Sequence, residues 1–222
     1  MDYTLLANEA GPRVGATQEW VFQVLRSGIV SGNIPDGTQL KQDEISAALS
    51  VSHIPVREAL RRLEVQGLVT IQPNRGATVT HLDADTIVEM MEVRANLSVM
   101  LLKKSAPFLT NDEYGELNTI LDAEEKETDI QKSEDLNYRF HNLLFSHSKN
   151  SVAFLFMDLI HANIDRYLRA RFYGEEAMRL RSVKEHREIM AACRAKQYDR
   201  AADMLSDHIL GAKELVPDRR QS

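Results

Sequence analysis

The 222-residue sequence predicts a mainly α protein in two parts, an N-terminal winged helix-turn-helix and a C-terminal all-α helical bundle. Three observations carry that prediction. Between Leu40 and Thr80, two short helical patterns around a tight turn run into two alternating apolar segments. From Asp83 onward only helical spacing occurs, interrupted at Pro107 and near Thr128, Asn150, Gly174 and Gln197. About 140 residues remain after the first part, enough for a second core.

Residues 1–14 carry Gly11 and Pro12 with no periodic pattern, and read as a flexible arm. Residues 15–80 form the first domain, 81–83 a hinge and 84–216 the second domain. The first helix is expected from about Thr17 to Ser31, burying Trp20, Val21, Val24, Leu25 and Ile29. The turn-rich stretch Gly32 to Gly37 links it to a short helix over Gln42 to Leu49, whose small Ala47 and Ala48 admit a close neighbour. In the turn Ser50-Val51-Ser52, Val51 fills the corner and Ser52 is placed to cap the next helix, with Pro55 tolerated in its first turn. That helix runs from about His53 through Val56, Leu60 and Leu63 to Gly67, which suits a left-handed residue just past a helix end. Its opposite face carries Arg57 and Arg61 with Arg62 beside them. Val69 to Ile71 and Ala77 to Val79 then alternate as strands around Pro73-Asn74-Arg75-Gly76.

A short helix with guanidinium groups on its exposed side fits the major groove of DNA, reading base edges from its first turns and phosphates from the rest. Arg75 at the wing tip is placed for backbone or minor groove. This segment resembles the GntR family of bacterial transcription regulators. The resemblance rests on Val51-Ser52, on Pro55-Val56-Arg57-Glu58-Ala59-Leu60, on Glu64-Val65-Gln66-Gly67-Leu68 and on Asn74-Arg75-Gly76. It implies DNA contacts from Lys41, Ser52, His53, Arg57, Arg61, Arg75 and Gly76. His53 stands where many relatives carry arginine, and Asp43 where some do.

The second domain should contain six helices, roughly 83–105, 110–127, 130–147, 151–173, 175–195 and 198–214. Thr110 and Glu113 have the spacing of a capping box, ahead of a buried face at Leu117, Ile120 and Leu121. The net charge of −6 divides unevenly, with about −1 in residues 1–80 and about −5 beyond them, so the acidity belongs mainly to the bundle. A near-neutral reader should bind DNA as a homodimer that places two local basic patches on a palindromic operator. A single cysteine, Cys193, excludes an internal disulfide. With no apolar run long enough to span a bilayer and no signal-like start, the chain is expected to be cytoplasmic.

Inside the bundle the informative residues are polar. Asn137 and His141 stand one turn apart on one helix, while His186 and His208 lie within amphipathic runs on the last two helices and point inward. Such a set can converge as ligands of a transition metal, or can be a group of hydrogen-bonded core histidines. His147 and His161 show no convergent placement and read as structural. Arg94 on the first bundle helix is open to an ion pair with Glu89 or Glu92.

This domain resembles the FCD ligand-binding domain of the FadR subfamily, in its shorter, VanR-like six-helix branch. The matching residues are Arg94, Leu97, Phe140-His141, Arg166, Glu185-His186, Ile189, Ala201 and His208. The resemblance implies a divalent metal, Zn, Ni, Mn or Fe, on Asn137, His141, His186 and His208. A small carboxylate effector would lie near Arg94, with Asn163 and Arg166 as further candidates. Asn137 stands where the family usually carries aspartate. An amide keeps an oxygen donor but removes a negative charge, which weakens the hold on a cation, so a metal-free pocket is the alternative. A metal-dependent enzyme is the more distant alternative. No acidic residue stands at one-turn spacing from the histidines to act as a base, and Glu185, next to His186, is expected to point elsewhere. The expectation is a regulator, a repressor by preference, whose operator affinity responds to a small acid.

Overall fold

The computed structural model describes residues 2–13, 15–72, 76–172 and 176–216. The chain packs as two compact units, Met1–Asp83 with Ala162–Ala170, and Ala84–His161 with Arg171–Ser222.

In the first unit, α1 (Tyr3–Glu9) occupies the stretch that its composition marks as an arm. Asp2 caps it by accepting from the N–H groups of Thr4 and Leu5, and Tyr3 and Leu6 are buried in the unit's core. At seven residues this helix is below the length at which periodicity separates helix from chance, and packing rather than propensity holds it. Helix α2 (Thr17–Val30) buries Val21, Val24, Leu25 and Ile29 as expected, together with Phe22. Trp20 is only partly buried and donates its indole N–H to the Gly11 carbonyl.

Helix α3 (Gln42–Ala48) and helix α4 (His53–Val65) meet through Ile45, Leu49, Val56, Ala59, Leu60 and Leu63, with Val51 partly buried against them. Helix α4 ends in a Schellman motif: Leu68 N–H bonds to the Leu63 carbonyl, Gly67 N–H to the Glu64 carbonyl, and Gly67 takes the left-handed φ of +69° that the motif requires. Ser52 holds the N-cap position of α4, yet its hydroxyl makes no capping bond.

Two strands were expected and three form. β1 (Gln39–Leu40), β2 (Val69–Gln72) and β3 (Gly76–Val79) make an antiparallel sheet in the order β1-β3-β2, with Leu40 opposite Ala77 and Val69 opposite Val79. Leu40, Val69, Ala77 and Val79 face the core. A two-residue strand has no periodicity of its own, so β1 exists only through its pairing with β3.

The second unit holds α5 (Ala84–Ser105), α6 (Asn111–Lys126), α7 (Ile130–Leu144), most of α8 (Ser151–Phe172), α9 (Glu176–Arg194) and α10 (Tyr198–Gly211). Among its described residues there is no strand. Pro107 ends α5 in a 3-10 turn, and the Thr110–Glu113 capping box starts α6: Glu113 N–H donates to the Thr110 hydroxyl while the Glu113 carboxylate accepts from Thr110 N–H. Asp129 caps α7 through Lys132 N–H. Helices α7 and α10 stop about three residues earlier than their periodicity suggests, each passing into a 3-10 turn. Leu101, Leu117, Leu121, Phe140, Leu144, Phe145, Ala153, Ile189, Leu205 and Ile209 fill the core, so each helix contributes buried residues to one interior.

Candidate metal centre and nucleic-acid interface

The reader's exposed face is built on α4. His53, Arg57 and Arg61 are all more than half exposed. Glu58 lies between the two arginines, 3.7 Å from Arg57 Nε and 3.8 Å from Arg61 Nη1. His53 Nδ1 lies 3.5 Å from the Asp43 carboxylate of α3, and Lys41 pairs with Glu44. Arg62 does not share this face: its guanidinium bonds to Glu19 and lies 3.9 Å above the Phe22 ring, both on α2. It locks α4 to α2 instead. Gly76 opens β3 with φ +81°, and Arg75 lies outside the described residues.

In the helical unit the three expected histidines do meet. His141 from α7, His186 from α9 and His208 from α10 each offer a ring nitrogen, and these atoms lie within 4.8 Å of one another. His186 Nε2 is 3.0 Å from His208 Nε2. Phe140 stacks on His186 with ring centroids 4.4 Å apart, fixing that imidazole from one side. Burial, and after it the neighbouring imidazoles and Arg94, holds His141 and His186 well below the usual histidine range, so both are neutral with lone pairs available. His141 Nε2 and His186 Nδ1 are buried without a hydrogen-bond partner. Ring nitrogens brought together from three helices, on side chains that leave two buried nitrogens without a partner, fit a divalent transition ion.

Glu185 overturns one expectation. It does not point away: its Oε2 is 2.7 Å from His208 Nδ1, and its Oε1 accepts from Arg181 Nε at 2.8 Å. The carboxylate accepts a hydrogen bond from His208 Nδ1–H, which in the neutral ring puts the lone pair on Nε2, facing the cluster, the arrangement that orients metal-binding histidines. The His208 bond is also the main reason why the Glu185 carboxyl sits below its usual range. One-turn spacing within a single helix carries no signal of this contact, which joins α9 to α10.

Asn137 stands one turn before His141, and its amide nitrogen lies 3.5 Å from Glu124 Oε1 on α6. Glu124 is buried and its Oε2 has no hydrogen-bond partner. Burial pushes this carboxyl up to about 7, against the Asn137 amide and Arg179, which pull it down.

Next to His141 lies a pocket lined by Arg94, Tyr138, His141, Asn142, Phe145, Phe154, Met157 and His161. Arg94 is therefore at the cavity, as expected, and His161, read as structural, is there too, stacked on Tyr138 at 4.8 Å. Its position on α8 carries no periodic signal that separates it from a surface histidine. Asn163 and Arg166 do not line this pocket. They fall in the Ala162–Ala170 segment that packs with the first unit, where Asn163 donates to the Gln66 carbonyl and the buried Arg166 lies 3.6 Å from Asp36. Two to five residues of α8 separate them from His161, which turns them to other faces. His147 is structural as expected, bonding the Glu113 carboxylate at 2.8 Å.

Comparison with known proteins agrees with both halves. Residues 17–79 match the family of bacterial regulatory proteins of the gntR type, and residues 89–211 match the FCD domain. The HTH-type transcriptional repressor RspR of Escherichia coli (strain K12) is 26% identical over 206 residues, covering 90% of this chain and 89% of RspR. The Nta operon transcriptional regulator of Aminobacter aminovorans is 28% identical over 182 residues, covering 81% and 85%. Among solved structures, E. coli McbR/YncC superposes with a TM-score of 0.76 at 20% identity, covering 91% of this chain and 98% of that one. A GntR regulator from Rhodococcus sp. RHA1 gives 0.75 at 22% identity, covering 90% and 96%. These two likenesses establish the fold. No helix among the described residues is long and apolar enough to cross a membrane. The reader and the helical domain together identify the chain as a member of the GntR family of DNA-binding transcription regulators, of the type that carries an FCD domain.

Proposed function

We propose that this regulator is a homodimeric repressor of the FadR subfamily, in its VanR-like branch, whose operator affinity is set by a small carboxylate bound in the helical unit beside a divalent metal. The observation that carries the reading is the convergence of His141, His186 and His208, with two orphaned ring nitrogens, next to a pocket that Arg94 also lines. His141 belongs to both the cluster and the pocket. When bound, the metal supplies Lewis acidity and positive charge to one end of a carboxylate.

The residues divide the work. His141, His186 and His208 hold the ion, with the Asn137 oxygen as a fourth donor, and Glu185 keeps His208 in the binding tautomer. Arg94 offers a fork of donors to the carboxylate, while Phe145, Phe154 and Met157 exclude water from its apolar end. On DNA, His53, Arg57 and Arg61 enter the major groove, the uncapped Ser52 hydroxyl and Lys41 meet phosphate, and Arg75 and Gly76 place the wing. Effector binding shifts the population of dimer arrangements that differ in the spacing of the two readers. A coupling of about 1–3 kcal/mol changes operator affinity roughly 5- to 150-fold. The E. coli relative named a repressor supports the same direction of control.

Metal content of the purified chain beside a His141→Ala variant tests the reading. About one divalent ion per chain, lost in the variant, supports it. No metal in either after reconstitution favours the second reading, to which Asn137 points: a metal-free pocket in which Arg94 and the imidazoles hold the acid directly.

A further inference from the structure

The histidine cluster has a charge problem that its named ligands do not solve. Three imidazoles ligating through their lone pairs and an amide oxygen add no charge, so a divalent ion among them leaves two buried positive charges without an answer. Among the described residues, two carboxylates touch the set. Glu185 touches His208, but Arg181 already pairs with it at 2.8 Å. Glu124 differs. Arg179 directs Nη1 to the main-chain carbonyls of Glu124 and Glu125 at 2.6 Å each, and not to the Glu124 side chain. That carboxylate accepts from the Asn137 amide nitrogen at 3.5 Å, and its second oxygen is buried with no partner.

We propose that Glu124 is the charge-balancing and positioning residue of this metal centre, acting through Asn137. The carboxylate holds the amide by its nitrogen, which leaves the amide oxygen as the atom free for an ion. With an ion bound, the negative charge of Glu124 would sit one residue removed from the metal, on α6, instead of in the ligand set on α7. Amide and carboxylate together do what one ligating carboxylate would do, and the total charge around a divalent ion falls from +2 to +1. The inference rests on the metal reading above.

The test is zinc affinity of the full-length protein, measured with zinc chloride against a chromophoric chelator, for the unmodified chain and for Glu124→Gln, Asn137→Asp, Glu124→Gln/Asn137→Asp and Glu134→Gln. Removing a residue behind the ligands weakens metal affinity about 10- to 100-fold, and that loss is expected for Glu124→Gln. Moving the charge onto residue 137 in the double variant should recover most of it, which a merely structural role for Glu124 would not produce. Glu134→Gln removes another buried carboxylate of α7 and controls for the general field. Thermal unfolding of the metal-free proteins separates loss of fold from loss of affinity. Unchanged zinc affinity in Glu124→Gln, a double variant no tighter than the single one, or an equal loss in Glu134→Gln would each overturn the proposal while leaving the metal centre standing. Failure of the unmodified chain to bind zinc at all would remove the centre and this inference with it.

Discussion

The reader segment and the helical unit place their functional groups in opposite locations. Among the described residues of 1–83, Ser46 alone is a buried polar side chain, and the candidate DNA-contacting residues His53, Arg57 and Arg61 stand in solvent over an apolar core. In the helical unit the candidate chemistry is in the core itself, where Glu124, Glu134, His141 and His186 are buried. A DNA reader has to present charge to a large polyanion, so its interior can be ordinary. A small-molecule sensor has to enclose its ligand, so it carries polar groups whose cost is met only when they are satisfied.

Substitutions that break one region should therefore spare the function of the other. The largest effect is expected from His186→Ala: zinc binding and effector response are lost, while operator affinity without effector stays as it was. A normal effector response in that variant would mean that the sensor does not use its buried histidines. Next comes Leu60→Ala, which opens a cavity in the reader core and should cost about 2–5 kcal/mol of reader stability in denaturant unfolding, with zinc affinity unchanged. Arg57→Ala removes one exposed guanidinium. Operator affinity should fall by about 1–3 kcal/mol in a gel-shift titration if the group reads a base, and the logarithmic salt slope should fall by about one if it meets phosphate.

The smallest effects belong to the capping box of α6. Thr110→Ala should lower stability by about 1 kcal/mol. The Thr110 N–H, and after it the Thr110 hydroxyl and His147, hold the Glu113 carboxyl below its ordinary value of 4.5. Its contribution is therefore full above that value and fades as pH falls through the lowered one. Acid titration of the unmodified chain should show that loss below about pH 4.5, and the Thr110→Ala variant should show less of it.

The same contrast governs how much could be read in advance. Val56, Leu60 and Leu63 with Gly67 spelled out α4 because its apolar stripe and its stop are local. Thr110 and Glu113 announced their capping box for the same reason. The inward placement of His141, His186 and His208 was legible as well, since each rides an amphipathic run. What escaped was contact between elements. β1 exists by pairing with β3, the Glu185 bond to His208 crosses from α9 to α10, and Glu124 meets Asn137 across α6 and α7. No spacing rule within one helix encodes these. Arg62 and Arg166 show the converse error, since an arginine in a plausible position was engaged elsewhere, over Phe22 in one case and against Asp36 in the other.

The position of Glu58 between Arg57 and Arg61 bears on selectivity. A reader whose two guanidinium groups each lie near an internal carboxylate has a competitor for every incoming phosphate. Random duplex, which offers charge alone, gains little by displacing Glu58, whereas an operator that also supplies base-edge acceptors gains more. Glu58→Gln should accordingly tighten binding to random DNA more than to the operator, narrowing the ratio on which a search among many wrong sites depends.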